Sequence, residues 1–337
     1  KMEVRLSGGD DRNLMERLLE KQIPLSNSCN GKGTCGKCKV RVVSGTITDV
    51  TDTERRLLTE KEVAGRMRLA CMTKARGEVV IETGEGEEDH VFTTGGVEGH
   101  FERDADKHGY GLAVDIGTTT VVATLVNMDD GTEGATYAQI NPQKTYGLDV
   151  LTRITYETEY KEKAITQLQE AIVHGLNEAI KGICAEAGID VTQIGEIDIA
   201  ANCTMLHMLA GVDARPIGRA PYKPAFTDGQ KLKARDLGLM GAADAMVYLL
   251  PSVSAYIGAD IVAGVYVCDL RHSPGKTLFI DIGTNGELVL EAGGKMYSCS
   301  CAAGPALEGM NITSGMRAAK GAVEDVHIGP DGIRLDV

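Results

Sequence analysis

At 337 residues, 43% apolar and 25% charged, the chain has length for about two domains of roughly 100 to 200 residues each, and its composition excludes a disordered, collagen-like or coiled-coil protein. Its 48 acidic against 35 basic side chains leave a net charge of −13, which argues against nucleic acid or an anionic membrane as a partner, because either would repel such a surface. No run approaches the roughly 18 apolar residues of a membrane span; residues 256–268 come nearest, and Asp260 interrupts them.

In chain order, residues 2–6 read as a strand, residues 13–22 as a helix stopped by Pro24, and residues 38–43, 67–71 and 78–82 as further strands. Thr51 and Glu54 have capping-box spacing ahead of one short helix, TERRLLTEKE. Together these predict a small α+β domain over residues 1–83. Residues 84–109 are polar, glycine-rich and without period, the composition of a flexible linker. The body, residues 110–337, opens on the strand GLAVDI, turns at 117–120 and returns as VVATLVN, closed by Asp130-Gly131. Another strand, a long helix over 162–187, the strand EIDIA and a short helix around 205–209 follow. Residues 254–267 read as helical, and TLFIDI then reaches a second Gly-Thr turn before ELVLEA. Charge divides at the same boundary, with a net +1 over residues 1–88 and −11 over 109–337.

No basic-then-apolar signal segment opens the sequence, so a cytoplasmic location is expected. In that compartment nine cysteines point to metal ligands or thiols, not disulfides. Cys29, Cys35 and Cys38 lie on one tight loop and Cys71 follows 33 positions later. A two-iron, two-sulfur cluster needs four such thiolates, and Gly31, Gly33 and Gly36 let backbone N–H groups approach the sulfurs. The spacing resembles the plant-type ferredoxin pattern, with five residues in the first gap as in vertebrate-type ferredoxins. Zinc also accepts four cysteines, but zinc ribbons use two separated Cys-x2-Cys knuckles and only one is present; thiols without a metal are the remaining alternative. Gly31-x4-Gly36-Lys37 imitates a P-loop, yet Cys38 replaces the required hydroxyl residue and a strand follows instead of a helix. Gly275-Lys276-Thr277 fails as well, because it precedes its strand.

VDIGTTTVVATLV at residues 114–126 and IDIGTNGELVL at 280–290 repeat one construction: strand, aspartate, Gly-Thr turn, strand. Backbone N–H groups and hydroxyls of Gly117, Thr118, Thr119 and Thr120, and of Gly283, Thr284, Asn285 and Gly286, suit phosphate oxygens, while Asp115 and Asp281 suit hydrated Mg2+. Two such hairpins facing each other would clamp the phosphates of a nucleotide.

With these motifs the body resembles the superfamily of actin, sugar kinases and heat-shock chaperone ATPases, whose two lobes each carry one phosphate hairpin. Joined to a ferredoxin head, nearly the whole chain resembles the reductive activators of corrinoid-dependent enzymes. Further stretches agree: Asn141-Pro142-Gln143 with YGLDVLTRI, ANCTMLHMLAG, APYKPAF, and SCSCAAGPALEG onward. The resemblance implies a fold of class α+β: an N-terminal β-grasp 2Fe-2S ferredoxin domain, then an actin-like α/β ATPase domain. It implies Asp115 and Asp281 as catalytic groups, Gly304 as a further nucleotide contact, and Asn141, Gln143 and Glu308 as site groups. Two departures stand out. Cys203 replaces a threonine, and the second lobe looks incomplete, with no adenosine-contacting glycine-rich segment after Asp281.

The function implied is ATP-dependent one-electron transfer from a 2Fe-2S cluster to the Co(II) corrinoid of a partner, either a methyltransferase or a corrinoid iron-sulfur protein, restoring Co(I). Mg2+ would accompany ATP, a small electron donor of unspecified identity would feed the cluster, and the resemblance allows a homodimer. Alternatives are an ATP-dependent donor to another low-potential metalloenzyme, and a plain electron carrier with a docking body that does not hydrolyse ATP. Cys299 and Cys301 read as small residues on one face of a strand, and His207, in a Met-Leu-His-Met-Leu run, as a core or interface histidine.

Overall fold

The computed structural model describes residues 2–83 except 10, 22, 24, 26–30, 32, 34 and 35, then 104, 106–301 except 284, 325–329 and 332–336. Cys29, Cys35, Thr284, Gly304, Glu308 and most of the expected linker therefore lie outside the described residues. Two compact units form, one of Lys1–Asp89 with Gln143–Tyr156, the other of His90–Pro142 with Glu157–Val337.

The first unit contains β1 (Met2–Leu6), α1 (Leu14–Glu20), β2 (Lys39–Ile47), α2 (Asp52–Leu57), α3 (Glu60–Ala64), β3 (Met67–Leu69) and β4 (Ala75–Thr83). The strands form one sheet in the order β1-β4-β2-β3 with every pair antiparallel. Leu14, Met15 and Leu18 of α1 pack with Val4, Leu6, Val40, Leu69, Val79 and Ile81 into one apolar core, which also holds Cys38 and Cys71. The single helix read after Thr51 is two helices. Thr59 and Glu62 make a second capping box, so the chain restarts at Thr59 and does not continue the first helix.

The second unit opens with β5 (Tyr110–Ile116), β6 (Thr120–Asn127) and β7 (Thr132–Ile140), an antiparallel meander. Then come α4 (Val150–Tyr160), assigned in part to the first unit, and α5 (Glu162–Ala187). After them run β8 (Ile194–Ala201), α6 (Cys203–Ala210), β9 (Gln230–Lys233), α7 (Ala234–Leu237), β10 (Met246–Leu249) and α8 (Ala259–Val267). The sheet order is β7-β6-β5-β8-β10-β9, with β5, β8 and β10 parallel at its centre. α5 buries Ala164, Leu168, Ile172, Leu176, Ala179 and Ile183, the spacing of one helical face.

The apolar run at 254–267 is helical only from Ala259, because Ser254 and Ile257 form a β-bridge first. α8 leads to β11 (Thr277–Ile282), β12 (Gly286–Ala292) and β13 (Lys295–Cys301), an antiparallel sheet in chain order. Ile257, Ile261, Leu270 and Val289, with Val265 and Phe279 against them, form a small core beneath it. The hairpin β14 (Asp325–Gly329) with β15 (Gly332–Asp336) completes the described elements.

Candidate functional site: a cysteine pair and two phosphate hairpins

In the first unit, β2 and β3 pair in register at Lys39 and Leu69, which brings the residues just outside the ladder together. Cys38 Sγ thus stands 3.3 Å from Cys71 Sγ, both buried. That separation exceeds the ~2.05 Å of a disulfide and approaches the ~3.7 Å expected of two sulfurs on one tetrahedral metal with ~2.3 Å bonds. Gly31, Gly33 and Gly36 have φ of 79°, 69° and 67°, a left-handed conformation that side chains disfavour. The donor set described therefore fits two of the four cysteine ligands of an iron-sulfur cluster.

Beside the thiols lies a hub that local pattern reading missed in part. Glu54 caps α2 through Thr51, as its spacing predicts, but it is also fully buried against Arg68. Arg68 Nε and Nη2 donate to its two oxygens at 2.9 and 2.8 Å, and the Leu69 N–H and Thr73 hydroxyl at 3.0 and 3.1 Å. Burial alone would raise the Glu54 pKa, but these donors and the Arg68 charge overcome it and hold the carboxyl at about 2.

In the second unit, both Asp-Gly-Thr segments are hairpin turns. β5 and β6 pair as far as Ile116 and Val121, and β11 and β12 as far as Ile282 and Gly286, which sets Asp115 and Asp281 one residue before each ladder's end. The first turn is held from two sides. Asn141, fully buried, donates its amide to the Gly117 carbonyl at 2.8 Å and its backbone N–H to the Thr119 carbonyl at 2.8 Å. Asn202 donates to Thr118 Oγ1 at 3.0 Å. The second turn is closed by the Gly283 N–H on the Asn285 carbonyl at 3.0 Å.

The acid of the second hairpin acts on that of the first. Asp115 is pushed up to about 6, by desolvation first and then by the charges of Asp260 and Asp281. Asp115 is exposed, so these shifts belong to the surface of the fold and not to its core. Asp260 and Glu287 are raised as well, by desolvation first, with Asp281 adding to both; Asp281 itself is raised by desolvation. Asp260 and Glu287 were not singled out by the sequence reading, although Asp260 carried a signal as the one charge within an apolar run. It arrives there because Gly258 has no Cβ, which would stand 2.5 Å from Asn202 Cα, so α8 starts hard against the end of β8.

Among the described residues no three His, Cys, Asp or Glu side chains converge enough to hold a bare metal ion. A Mg2+ that keeps most of its water and bridges to phosphates needs only one or two carboxylates, so the acids present fit that cation. Repulsion of this kind is relieved by an incoming positive charge.

The remaining expected residues fall as follows. Gln143 is fully buried and accepts from Arg153 Nη1 at 3.4 Å. His207 is a core histidine: Nδ1 bonds the Cys203 carbonyl at 2.7 Å, Nε2 accepts the Ala225 N–H at 3.0 Å, and the ring stacks on Phe226. Cys299 and Cys301 share one exposed face of β13, opposite Leu288 and Gly286. No helix among the described residues is long and apolar enough to cross a membrane.

A buried cysteine pair in one unit and two Asp-x-Gly-Thr hairpins in the other accompany a ferredoxin-type domain joined to an actin-like domain. Comparison with known proteins agrees: the 2Fe-2S iron-sulfur cluster binding domain matches residues 2–76, the RACo middle region 110–273, and the C-terminal domain of RACo, the ASKHA domain, 275–337. By these matches the chain belongs to the RACo family. It is 36% identical over 221 residues to the corrinoid activation enzyme RamQ of Eubacterium limosum, a match covering 66% of this chain and 37% of that one. It is 26% identical over 232 residues to the [Co(II) methylated amine-specific corrinoid protein] reductase of Methanosarcina barkeri, covering 66% and 41%. A solved reductive activator for corrinoid, iron-sulfur protein matches 98% of this chain and 67% of its own at 28% identity, with a TM-score of 0.64. The chain thus spans roughly two fifths of the length of the curated relatives it matches.

Proposed function

We propose that the chain is an ATP-dependent activator that passes single electrons to the Co(II) corrinoid of a cytoplasmic partner protein, restoring Co(I). The observation that carries this reading is the presence, in one chain, of a buried Cys38–Cys71 pair at 3.3 Å and of two Asp-x-Gly-Thr hairpins, the Asp281 of one adding to the raised pKa of Asp115 in the other. Cys29, Cys35, Cys38 and Cys71 would hold the cluster, which supplies reversible one-electron storage when bound. Around it, Glu54 and Arg68 fix β3, which ends two residues before Cys71, and the glycines would bring backbone close to the sulfurs. Gly117 to Thr120 and Gly283 to Gly286 would bind and orient the phosphates of ATP. Asp115 and Asp281 would hold the hydrated Mg2+ that accompanies them.

Hydrolysis serves such a transfer by biasing a conformational equilibrium. A one-electron step about 240 mV uphill is about 10,000-fold unfavourable at ~59 mV per tenfold. Differential binding of about 5.5 kcal/mol between two states offsets a factor of that size. Residues 84–109 would tether the head with a reach of roughly 25 to 30 Å if flexible, letting it alternate between an electron donor and the corrinoid protein.

The test is to reduce the full chain, add a Co(II)-corrinoid protein, and follow the Co(I) absorbance with and without ATP. Reduction only with ATP is the result expected. Equal reduction without ATP would leave a plain carrier, and no Co(I) under either condition would refute the corrinoid reading.

A further inference from the structure

The side chain of Asn202 has a defined orientation, and that orientation dictates chemistry at its neighbour. Asn202 is the N-cap of α6, and its Oδ1 accepts the Met205 backbone N–H at 3.0 Å. A backbone N–H can only donate, so the amide cannot be flipped, and the group facing Thr118 at 3.0 Å is the NH2. Thr118 Oγ1 therefore accepts from Asn202, and its O–H hydrogen points away from it. A hydroxyl that accepts one hydrogen bond is polarised into a better donor for another. The same residue is clamped on its backbone side, since a Cβ on Gly258 would stand 2.5 Å from Asn202 Cα. The first phosphate hairpin, α6 and the start of α8 thus meet at this one asparagine, whereas Asn141 holds only the backbone of the turn.

We propose that Asn202 is a positioning residue that sets the Thr118 hydroxyl as a hydrogen-bond donor to a phosphate oxygen of the bound nucleotide. The proposal rests on the ATP reading above and adds the direction of one contact within it. It also states what this hydroxyl favours in a ligand: an acceptor, because one of its own lone pairs is already engaged by Asn202.

Calorimetric titration of the full chain with Mg-ATP tests it, using Asn202→Ser, Thr118→Val and the double variant. Serine remains a good N-cap but is too short to donate to Thr118, so the thermal midpoint without nucleotide should match that of the parent. Losing a hydrogen bond to a charged group should weaken Mg-ATP binding about tenfold to a hundredfold. If Asn202 acts through the Thr118 hydroxyl, Asn202→Ser should cost nothing further in the Thr118→Val background, whereas a merely structural role would persist there. Parent-like affinity in Asn202→Ser, or fully additive losses in the double variant, would overturn the proposal while sparing the ATP reading. A parent chain that binds no Mg-ATP would overturn both.

Discussion

Replacing Glu54 by glutamine removes one charge and almost no volume, which isolates the electrostatics of the hub beside the cysteines. Its carboxylate accepts from Arg68 Nε and Nη2, the Leu69 N–H, the Thr73 hydroxyl and the Thr51 N–H and hydroxyl, all between 2.8 and 3.1 Å. Both partners are buried, Glu54 at 0% and Arg68 at 3% exposure, so solvent does not screen the loss. A carboxyl that titrates at about 2 in place of its ordinary 4.5 contributes about 3 kcal/mol at neutral pH, at ~1.36 kcal/mol per pKa unit. Breaking one side of a buried pair independently costs about 3 to 5 kcal/mol, because it strands the other charge. Because the folded value lies below the unfolded one, this stability is complete above about pH 4.5 and is lost as the pH falls towards 2. Glu54→Gln should therefore lower the melting of the head at pH 7, read in the full chain by the cluster's visible absorbance. A step of acid unfolding between those two values is expected in the circular dichroism of the parent and should be absent from that of Glu54→Gln. Replacing both partners, as Glu54→Leu with Arg68→Met, should recover part of the loss, since no buried charge is then left alone. A Glu54→Gln chain that keeps the parent's melting and acid profile would refute the reasoning.

Cys71→Ser should abolish the ferredoxin-like visible spectrum and reduce bound iron, while Mg-ATP affinity is retained; an unchanged spectrum would remove Cys71 from the ligand set. Asp281→Asn, and separately Asp115→Asn, should lower ATP turnover about a hundredfold or more by weakening Mg2+ and phosphate orientation, with the cluster spectrum intact. Unchanged turnover in either variant would reject that residue's assignment. His207 is held neutral chiefly by burial, against an upward pull from the Cys203 carbonyl. At this residue the unfolded chain therefore takes up protons before the folded one, and the contribution of His207 to stability should fall as the pH drops below about 6.5. His207→Gln should flatten that part of the melting-temperature profile between pH 7 and 5, and an equal slope in both proteins would show that another group titrates there.

The parts of this molecule that sequence exposes are those whose partners are near in the chain or whose chemistry demands company. Thr51 and Glu54 close a capping box within four residues, and the glycine turns of both hairpins are equally local, so each was readable from its own segment. Cys38 and Cys71 are 33 residues apart, yet they were legible because one kind of cluster requires four thiolates. The long helix over residues 162–187 matched the α5 bounds because its apolar positions repeat over 26 residues. Residues 254–257 were read into a helix because an apolar run there resembles the helix that follows, and only the bridge between Ser254 and Ile257 decides otherwise. Asn202 and Asp260 give no such help. Asn202 is 84 positions from the hydroxyl it orients, and Asp260 reaches its site only because Gly258 leaves room for α8 to abut β8. Glu54 combines the two cases. Half of its bonding is the local cap, visible as T-x-x-E, and the other half is Arg68, brought within reach only when β3 pairs with β2. A cap that is satisfied within its own turn has no need of burial, so the complete burial of Glu54 is itself the sign that the residue serves β3, just before Cys71, as well as the helix.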